Sequence, residues 1–291
     1  MDSVGLVFAS TGGNKMVRAL RSLRRTEPEL PVHIIFDTSS KTWNKNKETP
    51  TLEWFERQPN VKIECIENKA LINGCLNAAV HWMGRLGYDY ACLFHDDVVF
   101  SPLPEHQGHI SKWFEPSVWD FELRKASALT LSYIQAFVPN QREGLLHSPP
   151  EEWDKIDLES ESFWREFGLG EKWEGLLLEK NAVQYHIVGG ETKRPTTRLG
   201  PTGQIVPLAV WKALDGFDES EGIFYDIQYP AECITKNMPP VWAIPSVPHL
   251  HLHNQSLVAD PALGIWSNTE EAFAKRYGKS PGDFWKEIEE L

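Results

Sequence analysis

The run Tyr90-Ala91-Cys92-Leu93-Phe94, halted by His95-Asp96-Asp97, constrains this chain more than any other feature. A continuous apolar run offers no polar side, so a strand here is buried on both faces, as in the interior of a parallel sheet covered by helices. The neighbouring pattern agrees. Residues 4–10 form a second apolar run ending in Thr11-Gly12-Gly13, and residues 15–25 follow with Met16, Val17, Leu20 and Leu23 at helical spacing. Pro31 opens a β-rich run over 32–36 that stops at Asp37, and 61–66 is a third. Residues 70–86 place Leu71, Leu76, Ala79, Val80 and Met83 on one helical side. Strands alternating with helices in this way predict an α/β fold with a mainly parallel central sheet.

Beyond residue 100 the pattern loosens. Residues 126–138 are β-like, whereas 139–200 carry Pro149, Pro150, an acidic cluster and Trp153, Trp164 and Trp173. That segment is read as an irregular insertion ordered against the main domain. Residues 269–277 and 283–291 read as terminal helices, the second preceded by Pro281-Gly282. No internal repeat is present. The expectation is a single domain over residues 1–291, a length that suits one large domain at roughly 150 residues per unit.

Lys and Arg total 29 against 41 Asp and Glu, a net charge of −12, so nucleic-acid binding by a basic face is not expected. A metal-bridged phosphate ligand remains open, because there the cation supplies the positive charge. Cys65, Cys75, Cys92 and Cys233 show no C-x-x-C spacing, which argues against structural zinc and a disulfide framework. The first residues lack a basic region followed by an apolar run, and no stretch approaches 18 apolar residues; a cytoplasmic setting without a membrane span is the expectation.

Three constellations could carry chemistry. His95-Asp96-Asp97 sits where ligands bind in open parallel sheets, beyond the carboxyl end of a strand. Adjacent aspartates repel unless a cation lies between them or one turns away, so the cluster is either a cation site or an acidic turn. His249-x-His251-x-His253 follows a β-like run over 241–247; on a strand, alternation sets all three imidazoles on one face, exposed at an edge or facing a metal. Leu214-Asp215-Gly216-Phe217-Asp218-Glu219 reads as a tight turn. Asp226, among Phe224, Tyr225, Ile227 and Tyr229, is a general-base candidate or a turn residue.

In this order the pieces resemble a known family. Glu67-Asn68-Lys69-Ala70, then Asn73-Gly74 and Asn77-Ala78-Ala79, is similar to the "E-N-x-G-x-x-x-G-x-N-x-G" segment of GT-A-fold glycosyltransferases, particularly the family 2 and rhamnosyltransferase-like group. Leu93-Phe94-His95-Asp96-Asp97-Val98-Val99 resembles the "L-L-N-D-D-T-V" form of the D-x-D motif. Residues 211–219 match "v-W-x-x-x-G-G-F-D-E" with Asp215 in place of the first glycine, and Phe273-Ala274-Lys275-Arg276-Tyr277-Gly278 is similar to the terminal "F-x-x-K-W-G". The likeness covers about residues 4–100 and 201–278.

The resemblance implies a GT-A, Rossmann-like nucleotide-diphospho-sugar transferase with Mn²⁺ or Mg²⁺. It implies a UDP-, dTDP- or GDP-linked donor, a hydroxyl acceptor on a glycan or other glycosylated molecule, and inversion by a single displacement. It gives Asp37 the nucleotide base, and Asn68, Asn73, His95 and Asp96 the rest of the donor, with His95 in place of an acidic ribose ligand. Asp97 becomes the metal aspartate, His253 in preference to His251 the late metal histidine, and Asp226 the base, with Tyr225 where the family has glutamate. Residues 139–200 lie outside the likeness; their Trp153, Trp164, Trp173, Tyr185 and the basic run over 193–198 either recognise the acceptor or anchor the insertion to the core. The alternatives are a catalytically silent carbohydrate- or nucleotide-binding relative, and a histidine-metal oxygenase or hydrolase using His249, His251 and His253.

Overall fold

The computed structural model describes residues 3–39, 43, 52–67, 71–114, 126–131, 133–139, 146–147, 157–166, 177–180, 183–188, 194–196, 199–200, 202–219, 225–244, 249–252 and 266–289. Its first half alternates β1 (Val4–Ser10), α1 (Asn14–Thr26), β2 (Val32–Asp37), β3 (Val61–Ile66), α2 (Leu71–Arg85) and β4 (Tyr90–His95). β5 (Val98–Phe100) follows β4 after two residues. Later come β6 (Ala128–Leu131), β7 (Tyr133–Pro139), β8 (Leu146–His147), β9 (Leu177–Lys180), β10 (Val183–Val188), β11 (Arg194–Thr196) and β12 (Gln204–Pro207). The chain continues through α3 (Leu208–Ala213), α4 (Tyr225–Thr235), β13 (Val241–Ile244), β14 (His249–Leu252), α5 (Trp266–Tyr277) and α6 (Pro281–Glu289).

Eight strands form the central sheet in the order β11-β13-β6-β12-β4-β1-β2-β3. β3, β2, β1 and β4 are mutually parallel, and β13 is parallel to β6; β12 runs against both of its neighbours and β11 against β13. The expected mainly parallel α/β sheet is therefore present, and the period-2 rule shows why these runs are apolar throughout. Leu6, Phe8, Ile34, Phe36, Cys92 and Phe94 pack on one face with Met16, Leu20 and Leu23 of α1. Val7, Ala9, Ile35, Ala91 and Leu93 pack on the other with Leu76, Ala79, Val80 and Met83 of α2. Each of the Val, Leu, Ile, Phe and Met side chains among them contributes roughly 1.5–3 kcal/mol by leaving water.

A second sheet has the order β5-β14-β7-β10-β9, with β8 paired to β7. The β-like stretch 126–138 is thus split between sheets, β6 in the first and β7 in the second. Periodicity marks strands without naming their partners, so a continuous pattern concealed the switch. The segment 139–200, read as irregular, contributes β9 and β10 to the second sheet and edge strand β11 to the first. Of the two readings open for Trp164, anchoring of the segment is the one observed. Trp164 is fully buried and donates its Nε1 proton to Leu158 O at 2.8 Å, while Arg25 and Glu159 pair at 2.6 Å beside it, so that turn is docked on α1. Trp153, Trp173 and the Tyr185 side chain lie outside the described residues. Among the described residues, no helix is long and apolar enough to cross a membrane.

Candidate metal and ligand centre

Ser10, Asp37 and His95 end β1, β2 and β4, so the parallel strands deliver them to one edge of the sheet. Immediately beyond β4 the two aspartates diverge, because successive side chains point to opposite sides of an extended backbone. Asp96 turns to the β1–α1 connection. Its Oδ2 accepts from Ser10 Oγ at 2.8 Å and Thr11 N at 3.0 Å, and Lys15 Nζ lies 4.0 Å from Oδ1. Asp97 shares the side of His95 and faces β14. The antiparallel register His251↔Val98 and the bond from Leu252 N to Asp97 O at 2.8 Å bring His251 Nε2 to 3.4 Å from Asp97 Oδ1. One ligand atom each from His95, Asp97 and His251 lies within 4.8 Å of the others.

The electrostatics separate the three acidic and basic roles. Burial pushes the Asp96 carboxyl up, and neighbouring Asp97 adds to this, against the pull of Lys15 and the bonds from Ser10 and Thr11. Burial also opposes ionisation of Asp97, yet the His251 ring, its hydrogen bond, His95 and Lys15 outweigh it and hold Asp97 below the usual carboxylate range. Burial pushes His95 down to about 4 against the attraction of Asp97, with His251 and Lys15 adding to the fall. At neutral pH the cluster therefore presents a carboxylate and an unprotonated His95 imidazole, the forms in which these groups bind metals. The 3.4 Å separation is within the range spanned by two ligands of one cation with bonds of about 2.1 Å, so this pair could share a divalent ion.

His95, expected at the donor, stands with Asp97 and His251 in a group whose donor atoms could hold a metal ion. The signal was its i, i+2 spacing to Asp97. Asp96 and Asn73, also read as donor contacts, make internal bonds here: Asn73 Nδ2 donates to Asp218 O at 2.6 Å. Asp37 is buried at its strand end, its Oδ1 accepting from Ser39 N at 3.0 Å and Ser39 Oγ at 2.7 Å. Asn68 and His253 lie outside the described residues.

The histidines of β14 are interior, not edge-exposed, because β14 runs between β5 and β7. His249 packs among Phe94, Phe100 and Tyr133 with ring centroids 5.3, 6.0 and 5.9 Å away, and it is absent from the convergent group. The Tyr133 ring also meets His251 edge-on at 5.8 Å, a contact with no sequence signal.

Asp226 stands in the first turn of α4, and its carbonyl accepts from Leu199 N at 2.8 Å. The next residue, Gly200, bonds through its N to Thr130 Oγ1 at 2.8 Å near the end of β6, three residues before Tyr133. Asp226 is thereby linked through residues 199–200 to β6 of the central sheet. The Gly216-Phe217-Asp218-Glu219 turn is held by Asn77, whose Nδ2 donates to Phe217 O and Glu219 Oε1, both at 2.7 Å. Its Oδ1 accepts from Phe217 N at 2.8 Å and Trp211 Nε1 at 3.2 Å.

No protein-family profile matches the sequence, and no curated protein is similar to it in sequence. In structure the chain is similar to the mannosyltransferase PcManGT from Pyrobaculum calidifontis in complex with GDP-Man and Mn²⁺. That likeness has a TM-score of 0.52 and 12% identity over 98% of this chain and 67% of that one. GalNAc-T7 with UDP, GalNAc and Mn²⁺ follows at TM-score 0.48 and 11% identity, over 86% of this chain and 44% of its own. The S. aureus TarS 1-349 structure has TM-score 0.45 and 12% identity over 86% of this chain, which spans 60% of that one. At these identities the likeness is one of architecture. The chain has the GT-A type of mixed α/β fold, with a mainly parallel sheet whose carboxyl edge carries His95, Asp97 and, from the second sheet, His251.

Proposed function

We propose that this chain is a metal-dependent glycosyltransferase that moves a sugar from a UDP-, dTDP- or GDP-linked donor to an acceptor hydroxyl, with inversion. The observation that carries this reading is the convergence of His95, Asp97 and His251 at the carboxyl edge of a GT-A sheet. Such an edge is where nucleotide ligands bind in parallel α/β folds. The neighbour solved with GDP-Man and Mn²⁺ is in keeping with a nucleotide-sugar donor and a divalent ion.

In this reading His95, Asp97 and His251 hold Mn²⁺ or Mg²⁺, which when bound acts as a Lewis acid on the departing diphosphate. Asp37 meets the nucleotide base at the end of β2. Asp96, turned inward, shapes the β1–α1 connection beside the donor. Asp226 accepts the proton as the acceptor hydroxyl attacks the anomeric carbon, and holding both substrates at one edge supplies proximity. The acceptor is a glycan or another glycosylated molecule, recognised through the segment 139–200, with Trp164 excluded from that role. A cytoplasmic setting belongs to the same reading.

A thermal-shift panel of UDP, dTDP and GDP, each with and without Mn²⁺, tests it. One of them is expected to raise Tm in a metal-dependent manner, since ligand at 100 times Kd adds about 2.7 kcal/mol. Turnover of the corresponding nucleotide sugar separates an enzyme from a silent binding relative. Absence of any metal-dependent shift across the panel overturns the proposal.

A further inference from the structure

We infer that the His95–Asp97–His251 centre takes its metal without help from the nucleotide, and that it selects transition ions accepting imidazole nitrogen over Mg²⁺. This rests on the metal centre proposed above and concerns which ion it holds and when.

The first ground is the composition of the set. Among the described residues, two of the three converging donors are imidazoles and the one carboxylate is Asp97. The second carboxylate that a hard cation would use is Asp96, which is committed to Ser10 Oγ and Thr11 N at 2.8 and 3.0 Å on the other side of the backbone. Mg²⁺ demands oxygen ligands in near-octahedral geometry and keeps several waters, typically binding through carboxylates and substrate phosphates. Imidazole nitrogen instead favours the ions that climb the series from Mn²⁺ through Co²⁺, with Zn²⁺ also strong.

The second ground is that the site is built before any ligand arrives. His95 ends a strand of the central sheet, while His251 lies inside a strand of the second sheet paired on both sides. Asp97 is fixed between them by the bond from Leu252 N to its carbonyl at 2.8 Å. Asp97 and His251 are 7% and 4% exposed, and the Tyr133 ring braces His251 at 5.8 Å. Donors held this closely lose little further freedom on meeting a cation, so three protein ligands suffice without phosphate oxygens. His95 is the residue that decides selectivity, because it stands where a carboxylate would return the set to oxygen.

The test is calorimetric titration of the full chain, freed of metal by chelation and dialysis, with MnCl₂, CoCl₂, ZnCl₂ and MgCl₂ separately and without nucleotide. One site is expected for Mn²⁺, Co²⁺ and Zn²⁺, with Mg²⁺ weaker than Mn²⁺ by roughly 10²-fold, and bound Co²⁺ is expected to give the visible absorption of a nitrogen-ligated ion. His95→Asp is expected to weaken Co²⁺ and Zn²⁺ and to narrow the Mn²⁺:Mg²⁺ ratio by at least about tenfold. The wild-type comparison stands even if that variant fails to fold. Equal binding of Mg²⁺ and Mn²⁺ overturns the inference. So does binding of any of these ions only after UDP or GDP is added, an outcome that leaves the proposed function standing. No binding with or without nucleotide overturns both.

Discussion

Asp97 and Asp226 are separable at the level of single residues. Asp97→Ala removes the one carboxylate that the converging set has among the described residues while leaving the bond from Leu252 N to its carbonyl, so the fold is expected to survive. Calorimetry should then find Mn²⁺-dependent nucleotide affinity abolished, with the far-UV spectrum unchanged. Asp226→Asn keeps the shape of the side chain and the carbonyl bond to Leu199, so metal and donor affinity should hold. Transfer should fall by roughly 10²-fold to 10⁴-fold, the usual worth of a general base. Near-normal turnover in that variant would take Asp226 out of the mechanism.

At the scale of elements, the turn over 216–219 is the junction of α2, α4 and α5. Gly216 has φ of +76°, and a Cβ there would lie 2.9 Å from both Asn77 Oδ1 and the Trp211 ring. Gly216→Ala is therefore expected to cost about 2–3 kcal/mol in urea unfolding, combining left-handed strain with displaced neighbours. From the other side, Arg276 of α5 pairs with Asp218 and, at 2.9 Å, with Glu232 of α4, to which Tyr277 OH donates at 2.7 Å. Asp218 N in turn donates to Gln228 Oε1 of α4 at 2.9 Å. Arg276→Gln leaves two largely buried carboxylates without their shared cation. A loss of about 1–3 kcal/mol is expected, less than for a fully buried pair because the guanidinium is partly exposed. Equilibrium denaturation of wild type and variant measures it.

For the whole molecule, acid sensitivity follows from histidines folded into neutral settings. Burial pushes His106, with Ser101 Oγ at 2.7 Å, down to about 4, helped by His109. Burial also lowers His33, whose Nδ1 donates to Leu6 O at 3.0 Å. Between that value and the ordinary 6.5, the unfolded chain holds a proton on His106 that the folded chain has released. Stability therefore falls as pH drops from about 6.5 toward about 4, with no further loss from His106 below that. Urea midpoints measured across this window should show the slope, and His106→Gln should reduce it, the remainder coming from His33 and His95.

The alternation of apolar runs with helical spacing was sufficient to reveal β1 through β4 and their helices, because burial on both sheet faces imprints itself on consecutive residues. The strand-end positions of Asp37 and His95-Asp96-Asp97 were legible for the same reason, since each polar residue interrupts an apolar run. Pairing between distant segments was not legible. That the 126–138 stretch divides between two sheets, that β14 lies inside the second one, and that Trp164 is a core residue all depend on partners that local periodicity does not name. The membership of the candidate metal centre was decided in the same way. Backbone alternation separates Asp96 from Asp97, and the register of β14 against β5 carries His251 to its place, a contact across more than 150 residues of chain that only the folded molecule makes.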